Sequence, residues 1–375
     1  MVWAGALSAA AITAAASGPA APAVTVAHLP AGGLQPQAVV DAGGRVHVVY
    51  VTGAAEASDI YYIQSADGGH FSNPVPVNST PKSAIAMGTV RGPAIAAGAG
   101  GRIHVAWNGA HAGAEDTPMY YTRLNDAGDR FEPQRRVPAR TYDVDGGGAI
   151  TADSGRVTLF WHANVPGEQG EGARRVWMTR SSDAGRTFDA ERPVSDGAAG
   201  ACGCCSLRAF TDRAGSLYVL FRSALETVHR DIYLLSSRDG GDHFRSSKVD
   251  EWNVGACMMT TQAFAEGAGG LYAAWETRGQ VQMGRVDAAA GTVGSVTGAP
   301  GGDRTRKHPA LAVDRNGFVL LAWTEATSWG RGGSAAWQLY DGAGAAVGPP
   351  GHAAGVPAWG LVAVYPTSTG FSILF

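Results

Sequence analysis

GGRVHVVY (43–50) and GGRIHVAW (100–107) each open on glycine, alternate through a strand and close on an aromatic. The phrase returns as GRVTLFW (155–161), GSLYVLF (215–221), GGLYAAW (269–275) and GFVLLAW (317–323), and GFSILF (370–375) ends the chain. The closing aromatics, Tyr50 to Phe375, stand 48 to 60 residues apart. Each copy follows a short apolar strand, such as PQAVVDA (36–42), GPAIAAG (92–98) or TQAFAEG (261–267), and most precede a third, such as DIYYIQS (59–65) or RVWMTRS (175–181). Short strands repeated at that period predict the blades of a propeller.

The physical reason is burial. One small sheet leaves both faces wet, whereas sheets arranged in a ring cover one another. Small residues suit the inner strands, which crowd toward the axis, and this accounts for the Ala and Gly of GPAIAAG and GGAITAD (147–153). The expected fold is therefore all-β, a β-propeller of seven blades, with six blades as the alternative if the last copy is a partial extension. The seventh unit supplies only two strands. Residues 23–29 (AVTVAHL) lie before the first unit and are placed to pair with it, closing the ring by joining the two ends.

Composition agrees. Glycine contributes 53 of 375 residues and charged residues only 16%, which excludes a charged disordered chain and a coiled coil. The glycines have no G-X-Y period, so collagen is excluded too. A net charge of −3 gives no footprint for nucleic acid. No charged residue precedes Asp41, and residues 1–17 are small and apolar. Residues 1–22 thus read as a signal peptide or an Ala-rich disordered leader, and 23–375 as a single propeller domain, exported to the periplasm or beyond. No other segment approaches the roughly 20 apolar residues of a membrane span.

A second signature falls between the third and fourth strands. Ser181-x-Asp183-x-Gly185-x-Thr187-Phe188 and Ser237-x-Asp239-x-Gly241-x-His243-Phe244 are full copies. Asp126-x-Gly128-x-x-Phe131 lacks the serine, and Ser65-x-Asp67-x-Gly69-x-Phe71 is one residue short. In such a turn the carboxylate accepts backbone N–H groups, Gly takes positive φ and the aromatic plugs the blade. These residues resemble the Asp boxes, or BNR repeats, of the sialidase-like propellers. The resemblance implies a structural role for Asp67, Asp126, Asp183 and Asp239, on turns away from the ligand face.

The same resemblance implies a place to look for a sialidase site, in which three arginines hold a carboxylate and a Tyr–Glu pair with an Asp does the chemistry. This is an exception to two-carboxylate glycosidases. Planar guanidiniums suit a carboxylate because they bind it bidentately. The family's first arginine has no counterpart in Gln35-Pro36-Gln37 of unit one, whereas Val90-Arg91-Gly92-Pro93 of unit two is partly similar. Arg91, Arg222, Glu276, Arg306 and Tyr365 are the catalytic candidates of an exo-sialidase acting on acidic sugars.

Unusual chemistry lies elsewhere. Cys202-Gly203-Cys204-Cys205 stands directly before the inner strand of unit four, and Cys257-Met258-Met259 before that of unit five. Every cysteine of the protein is in these two equivalent places, which propeller architecture brings together at one mouth of the axis. Three readings follow. Cys202 or Cys204 pairs with Cys257 as a staple, or Cys204 and Cys205 form a vicinal bond. Alternatively the sulfurs, with Met258 and Met259, hold a soft metal: copper(I), or zinc if thiolates dominate. In the third, the thiols stay free and buried.

Polar residues after the strand-end aromatics, and the loops beyond, point toward the same face: His111, His162, His229, Arg230, Asp231, Glu325 and Trp329. Trp and Arg on a concave face suit a glycan or a small anionic ligand. Arg304, Arg306, Lys307 and His308 form the only local basic cluster and read as a solvated loop. Three functions remain: a ligand-binding propeller centred on the Cys/Met cluster, a sialidase-type glycoside hydrolase, and a non-catalytic protein-interaction platform.

Overall fold

The computed structural model describes residues 21–88, 91–110, 117–141, 144–165, 167–226, 228–302 and 305–375. They build seven sheets, six of four strands and one of three. The architecture is a seven-bladed β-propeller. In blade four the chain runs outward through Arg208–Thr211, Leu217–Arg222, Ile232–Ser237 and Arg245–Asp250. The other four-stranded blades repeat this antiparallel order. The seventh joins Ala363–Pro366 and Gly370–Leu374 to the N-terminal strand Ala23–Ala27. That last pairing is parallel, Ala23 opposite Gly370, and it closes the ring as the repeat predicts.

The core lies between the blades. Val49, Val51 and Tyr62 of blade one pack on Ile103, Val105 and Trp107 of blade two, and comparable clusters join every successive pair round to blades seven and one. Trp107, Trp161, Trp275 and Trp323, the aromatics that close the repeat, are buried in them. Covering both faces of each blade leaves little room for charge, hence the low charged fraction.

The box turns follow the expected chemistry. Asp183 accepts from the backbone N–H of Thr187 (2.9 Å) and from the Ser181 hydroxyl (2.7 Å), while that hydroxyl accepts from Gly185 N–H (2.8 Å). Asp239 and Asp67 are held in the same way. Position 185 requires glycine twice over: its backbone is left-handed (φ 79°), and an added Cβ would fall on the Tyr121 hydroxyl. Asp126 departs from the pattern: lacking the serine, it pairs with Arg102 instead.

Backbone and side-chain hydrogen bonds hold the carboxyls of Asp67, Asp183 and Asp239 well below the usual range. A depressed folded-state pKa gives stability that is present above the unfolded value, about 4, and lost as pH falls below it. The Tm should therefore fall between pH 5 and pH 2. In the Asp67→Asn, Asp183→Asn, Asp239→Asn triple variant that slope should flatten, as measured by calorimetry across the range.

Candidate functional site

In an antiparallel blade, the loops from strand two to three and those leading into the next inner strand share one mouth of the axis, and the box turns lie at the other. Both cysteine loops sit at the first mouth. There Cys204 and Cys257 form a disulfide joining the lead-in loops of blades four and five. Cys202 and Cys205 are buried thiols beside it. The Cys202 Sγ lies 3.3 Å from that of Cys204 and 3.5 Å from that of Cys205, so all four sulfurs meet in one place. Of the cysteine pairings open in the sequence, the Cys204–Cys257 staple is the one present. The buried thiols pack with Ala224, and Met258 rests against them. Met259 takes a left-handed backbone (φ 47°) as the chain turns toward the inner strand.

The loop is seated by close backbone approach. An added Cβ on Gly146 (φ 65°) would lie 2.5 Å from the Cys205 carbonyl and 2.6 Å from His162. His162 is buried and its Nε2 donates to that same carbonyl (2.9 Å). Burial, and secondarily the Arg174 charge, lower its pKa and keep the ring neutral.

Charge surrounds the sulfurs. Arg91 pairs with Asp145. Arg174 lies 3.8 Å from Asp145 and 3.9 Å from Glu171. Glu171 pairs with Arg230 (2.8 Å) and accepts the Gly203 N–H (2.9 Å), within the cysteine loop itself. Beneath, Arg222 and Glu276 form a fully buried pair at 3.0 Å. Lys307 donates to the Met258 carbonyl (2.9 Å). Five cations thus stand against three carboxylates around the cluster. Burial raises the Cys205 thiol, but the hydrogen bond from Cys202 and the nearby Arg222 charge more than offset it and bring Cys205 down to about 7. Cys202, the donor of that bond and itself buried, is pushed well up. Cationic surroundings of this kind favour thiolate.

The catalytic candidates fall differently. Arg222 and Glu276 are partners of one another, and Arg222 also donates to the Arg230 carbonyl (2.7 Å). Arg306 is buried against Glu325 (3.2 Å) and the carbonyls of Ala299, Pro300 and Gly301. Tyr365 is buried and donates to the Gly68 carbonyl, at the box-turn end of blade one. Arg91 alone of the three arginines stays partly exposed at the mouth. The structure therefore does not gather these residues around one open space.

Among the ligand-face candidates, Arg230 belongs to the charge network. Asp231 is buried and tied to Lys248 (2.8 Å) and the Trp252 N–H (2.9 Å). His229 is part-exposed, 4.0 Å from Glu226. Glu325 is spent on Arg306 and on the Trp323 indole (3.0 Å). Trp329 is exposed, edge-on to Trp359. His111 lies outside the described residues. The basic cluster is not a solvated loop: Arg306 and His308 are buried and Lys307 is half-buried, because they line the step into the inner strand of blade six. Asp145, Glu171 and Arg174 escaped the sequence reading. Their signal was positional, since Asp145 leads into the inner strand of unit three at the place where unit four carries its cysteines.

No protein-family model matches the sequence, and no curated protein is significantly similar to it. Solved structures are similar. A Hadza microbial sialidase matches with a TM-score of 0.54 and 14% identity over 86% of this chain and 74% of its own. The NanB sialidase of Streptococcus pneumoniae matches with 0.53 and 11%, over 78% of this chain and 65% of its own. The fold is that of the sialidase-like propellers. A Penicillium chrysogenum α-L-arabinanase matches it too, with a TM-score of 0.53 and 12% identity over 78% of this chain and 88% of its own, so the sialidase-like ring is shared with a different glycosidase. No helix among the described residues is long and apolar enough to cross a membrane.

Proposed function

We propose that this sialidase-like propeller is an exported ligand-binding protein whose working centre is the sulfur cluster at the axial mouth. Reduced, the cluster takes one copper(I) ion on thiolates; oxidised, it closes as the Cys204–Cys257 disulfide. A dithiol supplies the two electrons and two protons of the reduction. The observation that carries this reading is the convergence of every cysteine of the chain on one point, with the Sγ atoms of Cys202, Cys204 and Cys205 all within 4.8 Å of one another. Tetrahedral thiolates on a d10 ion at 2.3 Å stand about 3.8 Å apart, so the present spacings need only a small relaxation. Three thiolates on copper(I) carry a charge of about −2, which suits the excess of cations around the loop. Met258 beside them favours copper over zinc.

The test is stoichiometric. As purified in air, the denatured protein should show two reactive thiols, and four after reduction. Reduced anaerobically, it should retain one copper(I) per chain against a chromogenic chelator, while Cys202→Ser with Cys205→Ser retains none. Retention of zinc but not copper would reassign the metal. Retention of neither would sink the reading.

A second reading, hydrolysis of an acidic glycan, is favoured by one observation, the line of Arg91, Arg174 and Arg230 at the mouth. It requires turnover of a fluorogenic sialoside that Arg91→Ala abolishes. Because the other candidate arginines are held by Glu276 and Glu325, the expected result is no turnover.

A further inference from the structure

One position before the central alanine of each inner strand, the seven blades contribute Gln37, Pro93, Gly148, Arg208, Gln262, Pro309 and Val362. All seven line the axial cavities, forming one girdle around the channel. Four of these positions are apolar or lack a side chain. The other three are two amides and a guanidinium: Arg208 and Gln262 on neighbouring blades four and five, and Gln37 on blade one across the axis. Arg208 donates to the Gln37 Oε1. Half-buried, it has no carboxylate partner among the described residues, whereas the buried arginines at this mouth are all paired. What exposure Arg208 has is to the channel itself, and enclosure pulls its pKa down to about 10, with no neighbouring charge contributing. Gln262, the next blade's contribution, is 3% exposed, and neither its Nε2 nor its Oε1 has a hydrogen-bond partner.

A half-buried cation enclosed in the channel without a counter-charge is costly, and so is a buried amide without partners. Both costs fall at adjacent places on one wall. We propose that the axial channel holds a small monovalent anion, a halide or a formate-sized carboxylate, between the Arg208 guanidinium and the Gln262 amide, with Gln37 orienting the arginine from the other side. The girdle opens on a cavity of about 210 Å³ lined mostly by alanines and larger apolar side chains of the inner strands, with Thr151 and Thr211 among them, which leaves room for the anion's water. This site lies below the sulfur cluster and uses none of its residues. Its occupant pins blades one, four and five together across the axis.

The experiment compares melting in sodium bromide, sodium formate and sodium gluconate at equal ionic strength, gluconate being too large to enter the girdle. At a hundred times the dissociation constant, bromide or formate should raise the Tm of the native protein by about 3 °C over gluconate. A shift with both ions marks a general anion seat, bromide alone a halide site, and formate alone a carboxylate site. Arg208→Gln should abolish the shift. Should that variant fail to fold, Gln262→Leu keeps the charge and is expected to weaken binding about tenfold, read in the midpoint of the bromide titration. A bromide-soaked crystal should show an anomalous peak between the two side chains. Equal melting in all three salts, a full shift in Arg208→Gln, or unchanged affinity in Gln262→Leu would overturn the proposal.

Discussion

Replacing Arg222 by methionine is expected to lower the unfolding free energy by about 3–5 kcal/mol, the cost of leaving a buried carboxylate without its partner. Arg222 and Glu276 are the last residues but one, or the last, of equivalent strands in blades four and five, and their side chains are essentially sealed from solvent. The guanidinium also donates to the Glu276 carbonyl and lies 5.4 Å over the Trp252 ring. Burial pushes the Glu276 carboxyl up, with Arg222 opposing, so removal of the arginine should push it up further. The Arg222→Met, Glu276→Leu pair should recover part of the loss, because no unpaired charge then remains. Guanidinium unfolding of the three proteins measures it; a single variant as stable as the parent would show that the pair does not bolt the blades.

Cys257→Ser is expected to cost about 4 kcal/mol in the chain-entropy account of a cross-link. Its 53-residue separation from Cys204 sets that scale. The bond ties the lead-in loop of blade four to that of blade five. Reduced wild-type protein and the oxidised Cys257→Ser variant should unfold at the same denaturant concentration, both below oxidised wild type. Cys257 is an exposed residue, whereas the thiols of Cys202 and Cys205 are buried. Mild reductants should therefore open the staple without unfolding the chain. Identical midpoints for oxidised and reduced wild type would contradict the assignment of a stabilising staple.

The fold was legible because a propeller writes its geometry as a period. Seven glycine-to-aromatic phrases mark seven second strands, and the two-strand remainder of the last unit, with AVTVAHL at 23–29, pointed to the closure that Ala23 and Gly370 make. The meeting of the cysteines was legible for the same reason, since equivalent positions in neighbouring repeats become neighbours in space. Which sulfur would bond to Cys257 was not, because that depends on how Gly203 and Gly146 let the loop fold over His162 and Glu171. The roles of Arg222, Glu276 and Arg306 were hidden for a different reason. Arg222 and Glu276 follow strand-end aromatics and alternate away from them, but alternation does not distinguish the open mouth from the cleft between two blades, where they lie; Arg306 begins the inner strand of blade six and has no such neighbour. Asp145 carries only a positional signal in the repeat, and Glu171 and Arg174 carry none; three-dimensional proximity to Gly203 reveals them.

If the four sulfurs at the axial mouth make one soft-metal site, X-ray absorption at the copper edge of the reduced, copper(I)-loaded protein should show them around the metal. The predicted spectrum has a first shell of sulfur alone, three or four neighbours, reduced to an incomplete sulfur shell in Cys202→Ser. A first shell dominated by nitrogen or oxygen, or one unchanged by that substitution, would contradict it.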